Sequence, residues 1–272
     1  MPPVLREREE VTLLAPYTTN LSKAQGMLPE TFELLELWEP AMTVVELKAR
    51  VRETGALGRA TQVRVDDIVG RAFAQRFLAH DGPPALHLRR MLQNRVPRGV
   101  LRQIILIYTA RANRILHDFV REVYWSKCHS GAGEVGKQDA RDFIERAVSR
   151  GDISPRWSDT MIERVTRYLL GTLVDFELIS ANSFGQRQIR PLFAAPETIV
   201  YLAYELHTAG LDDDAIMRHR DWGLLGLAQA DVISSLENAA TRGHLFIQHS
   251  GAVIRVEWTY ASMEDMIDAL TH

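Results

Sequence analysis

One pattern occurs twice in the second half of the chain and limits the folds open to it. Each copy is a helical segment followed directly by a strand, a glycine-containing turn and a second strand: FELISANSFGQRQIRPLF at 176–193 and RGHLFIQHSGAVIRVEW at 242–258. A short loop with glycine between two apolar runs is a strong hairpin signal. Because a two-stranded hairpin is not stable alone, each must pack on its helices. The sequence therefore predicts antiparallel hairpins near 178–193 and 244–258, with Trp258 buried at the end of the second.

Helical periodicity dominates the first 180 residues. Gly55 and Gly58 separate two amphipathic segments, and the second, about 61–79, carries Arg64 and Arg71 roughly opposite its apolar stripe. Two helices joined by a glycine turn fit a helix-turn-helix. A longer helix is predicted from about residue 97 to 127. The predicted fold class is mainly α, a helical protein with winged helix-turn-helix-like units and short antiparallel β-hairpins.

The predicted organisation has three parts. Residues 1–128 form a helical N-terminal region with the helix-turn-helix, 129–194 a first winged-helix-like unit, and 195–272 a second. The glycine-rich stretch between the first two parts contains Gly131-x-x-x-x-Gly136-Lys137, which approaches the phosphate-binding P-loop. That motif needs Ser or Thr after the lysine and a strand before the loop, whereas Gln138 and a predicted helix occupy these places. We therefore do not expect nucleotide binding.

Composition narrows the class of protein. The single cysteine, Cys128, excludes an internal disulfide framework and suits a reducing cytoplasm. No apolar stretch approaches the ~18 residues of a membrane span, and the charged N-terminus has no signal-peptide core. The nine histidines show no zinc-ligand spacing, and no nucleophile elbow or dinucleotide fingerprint occurs. We expect a cytoplasmic protein that is not an enzyme, has no cofactor or metal, and does not bind a membrane.

Charge is unevenly distributed although the net charge is only −3. Residues 82–117, here called the acid-free segment, contain no Asp or Glu and seven arginines. Either acids from other segments pair with these arginines, or an anionic partner does. A predicted helix start at Pro97 adds free N–H donors that can hold a phosphate. The candidate DNA-binding residues are first Arg89, Arg90, Arg95, Arg98 and Arg102, and second Arg64, Arg71, Arg187, Arg190 and Arg255.

Three stretches together resemble the BrxA family of BREX (bacteriophage exclusion) phage-defence systems. They are YTTNLSKAQGMLPETFELLELW, WSDTMIERVTRYLLGTLVDFELI and the ending from residue 198 to 270. The likeness spans roughly 17–270 and consists of diffuse patterns of aromatics, prolines and apolar spacing. It implies a mostly helical protein with winged helix-turn-helix units that binds DNA and acts in defence beside a methyltransferase and other BREX components. It implies no catalytic residues.

Two classes of function follow from these observations. The first is a double-stranded DNA-binding protein of a BREX system that contacts mainly phosphates. The second is a protein–protein scaffold or adaptor of the defence complex that contacts DNA little. The acid-free segment favours the first class, whereas the net charge of −3 favours the second.

Overall fold

The structure is a computed structural model that is mainly helical and contains two separate two-stranded antiparallel sheets. The predicted fold class, mainly α with short antiparallel hairpins, is confirmed. The residues that the structure describes are 16–22, 25–58, 60–79, 82–181, 187–250 and 253–270.

The chain forms two compact units. Within the described residues, the larger unit covers the ranges between 16 and 89 and between 105 and 191, and the C-terminal unit covers 90–104 and the ranges between 192 and 270. The three-part division predicted from the sequence stays a prediction.

The larger unit begins with three helices. They are α1 (Leu28–Leu37), α2 (Val44–Thr54) and α3, which runs through Gln62–Val65, a π-helical stretch Asp66–Phe73 and Ala74–Phe77. Thr43 and Glu46 form a reciprocal capping box at the start of α2, because the Thr43 hydroxyl accepts from the Glu46 N–H and the Glu46 carboxylate accepts from the Thr43 N–H. Gly55, with φ of 66°, ends α2 in the left-handed conformation that glycine adopts without strain. The predicted pair of helices joined by a glycine turn is therefore present.

The single helix predicted over 97–127 is wrong. The structure has α4 (Pro83–Gln93), α5 (Arg98–Arg111) and α6, which joins Arg114–Phe119, a π-helical Val120–Tyr124 and Trp125–His129. The break falls at Asn113, whose φ of −139° is not helical and whose side-chain amide donates to the Thr109 carbonyl at 2.8 Å. An asparagine side chain that bonds the local backbone competes with the helical hydrogen bonds. The spacing of apolar residues gives no sign of this competition.

Two further helices and a hairpin complete the larger unit. They are α7 (Lys137–Arg150), α8 (Asp159–Asp175), β1 (Ile179–Ala181) and β2 (Arg187–Ile189). The hairpin pairs Ile179 with Ile189 and Ala181 with Arg187. On the other side of β2, Glu134 forms an isolated antiparallel bridge with Gln188, so this part of the glycine-rich stretch pairs with the hairpin. The first predicted hairpin is confirmed.

An N-terminal segment, residues 17–22 and 25–26, lies against α6 and α8 and is held by polar contacts. The Tyr17 hydroxyl donates to Asp118 at 2.9 Å, and the Gly26 N–H donates to the Asp175 carboxylate at 2.9 Å. Burial raises the pKa of Asp175 above its usual range. A side chain at Gly171 would collide with Gln25, so the segment approaches the C-terminal half of α8 closely.

The C-terminal unit repeats the order of helices followed by a hairpin. Its elements are α9 (Pro196–Thr208), α10 (Asp213–Met217), a 3-10 turn (Arg220–Leu224), α11 (Gln229–Thr241), β3 (Leu245–Ser250), β4 (Val253–Trp258) and α12 (Met263–Ala269). The hairpin register pairs Leu245 with Trp258 and Ile247 with Val256. The Ser262 hydroxyl caps α12 by accepting from the Asp265 N–H at 3.1 Å. The second predicted hairpin and its closing helix are confirmed.

Trp258 is half-buried rather than buried, so that prediction is wrong in degree. Its indole stacks on the His207 ring, with centroids 4.2 Å apart, and meets the Tyr204 ring edge to face at 4.8 Å. Both partners come from α9. Trp258 is the last residue of β4, where the sheet ends and the side chain loses neighbours on one side.

Candidate nucleic-acid interface

The guanidinium of Arg89 is engaged in hydrogen bonds within the larger unit. It donates to the carbonyls of Leu35 and Glu36, each at 2.9 Å, and to that of Trp38. These carbonyls lie in the last turn of α1, where a helix has acceptors without intrahelical partners and a partial negative charge. Arg50 donates to another carbonyl of this turn, that of Leu37, at 3.0 Å. Arg89 is therefore a cap of α1.

Arg90 is paired within the C-terminal unit. Its Nε and Nη2 donate to the two carboxylate oxygens of Asp268 at 2.7 and 2.5 Å, and Asn94 donates to the same carboxylate at 2.8 Å. The hydrogen bond to Asp268 raises the pKa of Arg90 above its usual value. The acidic partner of Arg90 therefore comes from outside the acid-free segment, 178 positions further along the chain.

The other arginines of the acid-free segment lie around the start of α5. Arg95 is exposed in the turn before the helix, with φ of 60°, and Arg98 is exposed in its first turn. Arg102 is half-buried. The helix starts where the sequence predicts, because the N–H groups of residues 100 and 101 donate to the Pro97 carbonyl. The first turn of α5 contains no acidic residue.

The second-choice candidates are spread over both units. Arg64 and Arg71 are exposed on α3, and Arg71 is paired with Asp67 at 2.9 Å. Arg187 is half-buried on β2, and Arg190 is exposed just after that strand. Arg255 is exposed on β4, opposite Gln248.

Sequence reasoning missed two arginines on α8, the helix directly before the first hairpin. Arg164 and Arg167 are exposed in its first half, one turn apart. Arg164 makes no hydrogen bond or ion pair with any other described residue, and Arg167 lies 5.5 Å from the Tyr168 ring centroid. A search for segments without acidic residues passes over Arg164 and Arg167, because Asp159 and Glu163 are close to them in sequence. The usable signal was position: these residues lie on the solvent side of the last helix before a predicted hairpin.

The chain order places α8 directly before the β1–β2 hairpin. The larger unit runs α6, the Glu134 bridge, α7, α8, β1 and β2, and α8 packs against β1. Arg190 is anchored through its backbone, because its N–H donates to the Leu178 carbonyl and its carbonyl accepts from the Tyr124 hydroxyl. The Arg187 Nε is buried and has no hydrogen-bond partner among the described residues. The candidate interface comprises two parts of this unit, the first half of α8 and the end of β2.

The glycine-rich stretch has a structural role in this unit. The Val135 N–H donates to the Arg187 carbonyl and the Ile189 N–H donates to the Gly133 carbonyl, so the stretch forms an edge of the small sheet. Lys137 is the first residue of α7, and its ammonium lies 3.5 Å from the Glu163 carboxylate.

A model of the BrxA family matches residues 15–205, which is more than half of the chain. The chain belongs to the BrxA family. It is therefore a component of the BREX phage-defence systems, as the resemblance in sequence predicted. Membership of the BrxA family does not by itself assign a role to any of the arginines above.

The fold resembles that of a solved structure, an uncharacterized protein from Magnetospirillum magneticum. The TM-score is 0.57 at 16% identity, over 71% of this chain and 95% of the other. At this identity the likeness concerns the fold alone. No curated protein matches the chain. Within the described residues, no helix is long and apolar enough to cross a membrane.

Proposed function

We propose that the protein binds double-stranded DNA mainly through phosphate contacts, as a non-enzymatic cytoplasmic component of its BREX system. The observation that carries the proposal is the exposed first half of α8, with Arg164 and Arg167 on it, directly before the β1–β2 hairpin. Phosphate contacts give affinity without sequence information, so we expect little sequence preference.

The order of elements supports a winged-helix mode of binding for the larger unit. Helix, short bridging strand, two helices and a hairpin are the parts of that motif in chain order, and the second of the two helices is the one that enters the major groove. That helix is α8. Residues in the N-terminal part of a recognition helix contact DNA, and Arg164 and Arg167 are exposed in this part of α8. Arg187 and Arg190 would then belong to the wing.

The start of α5 is a second source of phosphate contacts. Exposed Arg95 and Arg98 lie beside a helix N-terminus whose first turn carries no carboxylate to repel an anion. Arg89 and Arg90 do not contribute to the proposal, because their donors already bond carbonyls and Asp268.

A double variant tests the α8 contact. Arg164→Ala with Arg167→Ala should weaken binding at least about tenfold for two unrelated 20-base-pair duplexes alike, since one charge-assisted hydrogen bond contributes ~1.5–3 kcal/mol. Fluorescence anisotropy at fixed salt measures the affinity. The matched control is Arg218→Ala with Arg242→Ala, which removes two exposed arginines of the C-terminal unit. Equal affinities of the α8 variant and the wild-type protein would remove α8 from the interface.

The scaffold function remains the second candidate, and one observation favours it. Residues 192–272 contain 12 Asp and Glu against 4 Arg and no Lys, a net charge of −8. Such a segment repels DNA. If neither the α8 variant nor the wild-type protein binds duplex DNA, the protein–protein role is the better account of the chain.

A further inference from the structure

The C-terminal unit has the same order of helices and hairpin as the larger unit but the opposite charge. Residues 192–272 contain 12 Asp and Glu against four Arg, and residues 90–104 add four more Arg to this unit. Two of these arginines are already paired, Arg218 with Asp214 at 3.0 Å and Arg90 with Asp268. Counted by unit, residues 15–89 and 105–191 of the larger unit carry 22 Lys and Arg against 20 Asp and Glu, a net +2. Residues 90–104 and 192–272 carry 8 Arg against 12 Asp and Glu, a net −4. The two units are therefore suited to partners of different charge.

The helix before the second hairpin, α11, exposes a polar and acidic face. Its exposed residues include Gln229, Asp231, Ser234, Glu237, Asn238 and Thr241. None of the thirteen residues of α11 is Lys or Arg. In chain order α11 takes the place before its hairpin that α8 takes in the larger unit, and it packs against β3. A duplex approaching this helix would meet two carboxylates, so α11 is not suited to DNA.

The outer side of the second hairpin adds an exposed apolar side chain next to a carboxylate. Phe246 is 56% exposed and pairs across the strands with Glu257. Glu257 in turn accepts from the Gln248 amide at 2.9 Å. Arg255 is the one basic residue on this side of the described part of the hairpin. Aromatic rings exposed beside charged groups are typical of protein-binding surfaces, and a ring face also attracts Lys and Arg.

Contacts with α9 and α10 hold the second hairpin in one arrangement. The Trp258 indole stacks on His207, and the Tyr204 hydroxyl donates to the His244 carbonyl. The Asp213 carboxylate accepts from the Val256 N–H at 3.1 Å, so it occupies part of the free edge of β4. A partner that added a strand to β4 would have to displace Asp213. Docking on the face of the unit requires no such displacement.

We propose that α11 and the outer side of the β3–β4 hairpin bind a basic segment of a partner protein. Lys and Arg side chains of this segment form ion pairs with Asp231, Glu237 and Glu257. An apolar side chain of the segment packs on Phe246. Charge complementarity selects this occupant over DNA and over an acidic protein. The inference does not depend on DNA binding by the larger unit.

Site-specific photocross-linking in cells tests the proposal. The full-length chain carries Phe246→p-benzoylphenylalanine and is produced together with the other components of its BREX system. After irradiation we expect a cross-link to one protein, at a peptide rich in Lys and Arg identified by mass spectrometry. The matched control is Phe193→p-benzoylphenylalanine, because Phe193 is 84% exposed in the same unit but lies outside the proposed surface.

Charge reversal supplies the second arm. Asp231→Lys with Glu237→Lys should reduce the cross-link from position 246 at least tenfold, whereas Glu33→Lys with Glu36→Lys on α1 should leave it unchanged. Melting temperatures of both variants confirm folding, and their DNA affinity is measured in parallel, so failure of the two proposals can be told apart. A cross-link no stronger than that from position 193, a cross-link to DNA or to a second copy, or one that survives reversal on α11 would overturn the proposal.

Discussion

At the scale of the residue, an arginine in an acid-free segment is not thereby available to a ligand. Arg89 donates to carbonyls at the end of α1, and these acceptors lose their partner when the side chain is removed. We expect Arg89→Ala to lower the free energy of unfolding by about 2 kcal/mol, the order of a hydrogen bond to a charged group. Urea denaturation of the purified protein measures this difference.

Arg121→Ala is the control for that measurement. Arg121 is exposed in the same unit, and exposed substitutions away from special contacts stay within about 0.5 kcal/mol. Equal stabilities of the two variants would show that Arg89 is not a cap and would return its guanidinium to the set of DNA contacts.

His207 gives the C-terminal unit a pH dependence of known sign. Burial under Trp258 lowers the pKa of His207 in the folded protein, and Asp213 opposes this only in part. The native state therefore prefers the neutral ring, and its contribution is complete above the unfolded pKa of ~6.5 and is lost as the pH falls below it. His207→Gln should narrow the fall in melting temperature between pH 7.5 and pH 5.0. A variant with the wild-type fall, or a larger one, would contradict this account.

At the scale of the element, features that depend on neighbouring residues can be predicted from the sequence, whereas features that depend on distant residues cannot. Both hairpins and the capping box of α2 depend on neighbours within a few residues, so the sequence predicts them. The break at Asn113 depends on one side chain turning back on its own backbone, which an apolar stripe does not reveal. The pairing of Arg90 with Asp268 joins positions 178 apart and could not be found by counting charges along the chain.

The residues of the candidate site also fall into two groups, those that the sequence predicts and those that only the tertiary structure reveals. The wing arginines, Arg187 and Arg190, follow from the predicted hairpin, and the helix start at Pro97 was placed correctly. Arg164 and Arg167 needed knowledge of which side of α8 is exposed. That depends on the tertiary packing of α8 against α7, residues 20–22 and β1.

At the scale of the whole molecule, a net charge of −3 hides a division of charge. The acidic surplus lies in residues 192–272, and the remaining chain is basic. Net charge alone favoured a scaffold, whereas the distribution is compatible with DNA binding by the larger unit and protein binding by the C-terminal unit. Membership of the BrxA family is compatible with both, because a defence component can contact DNA and other proteins.

The salt dependence of DNA binding tests the central claim most directly. Each neutralised phosphate contributes about −0.9 to the slope of log affinity against log salt concentration, so four contacts from Arg164, Arg167, Arg187 and Arg190 and two from Arg95 and Arg98 predict a slope near −5.4 for duplex DNA. Anisotropy titrations of the wild-type protein at several salt concentrations should give that slope for two unrelated sequences, and about −3.6 for Arg164→Ala with Arg167→Ala. A slope near zero, or one that the double variant leaves unchanged, would contradict phosphate binding by α8.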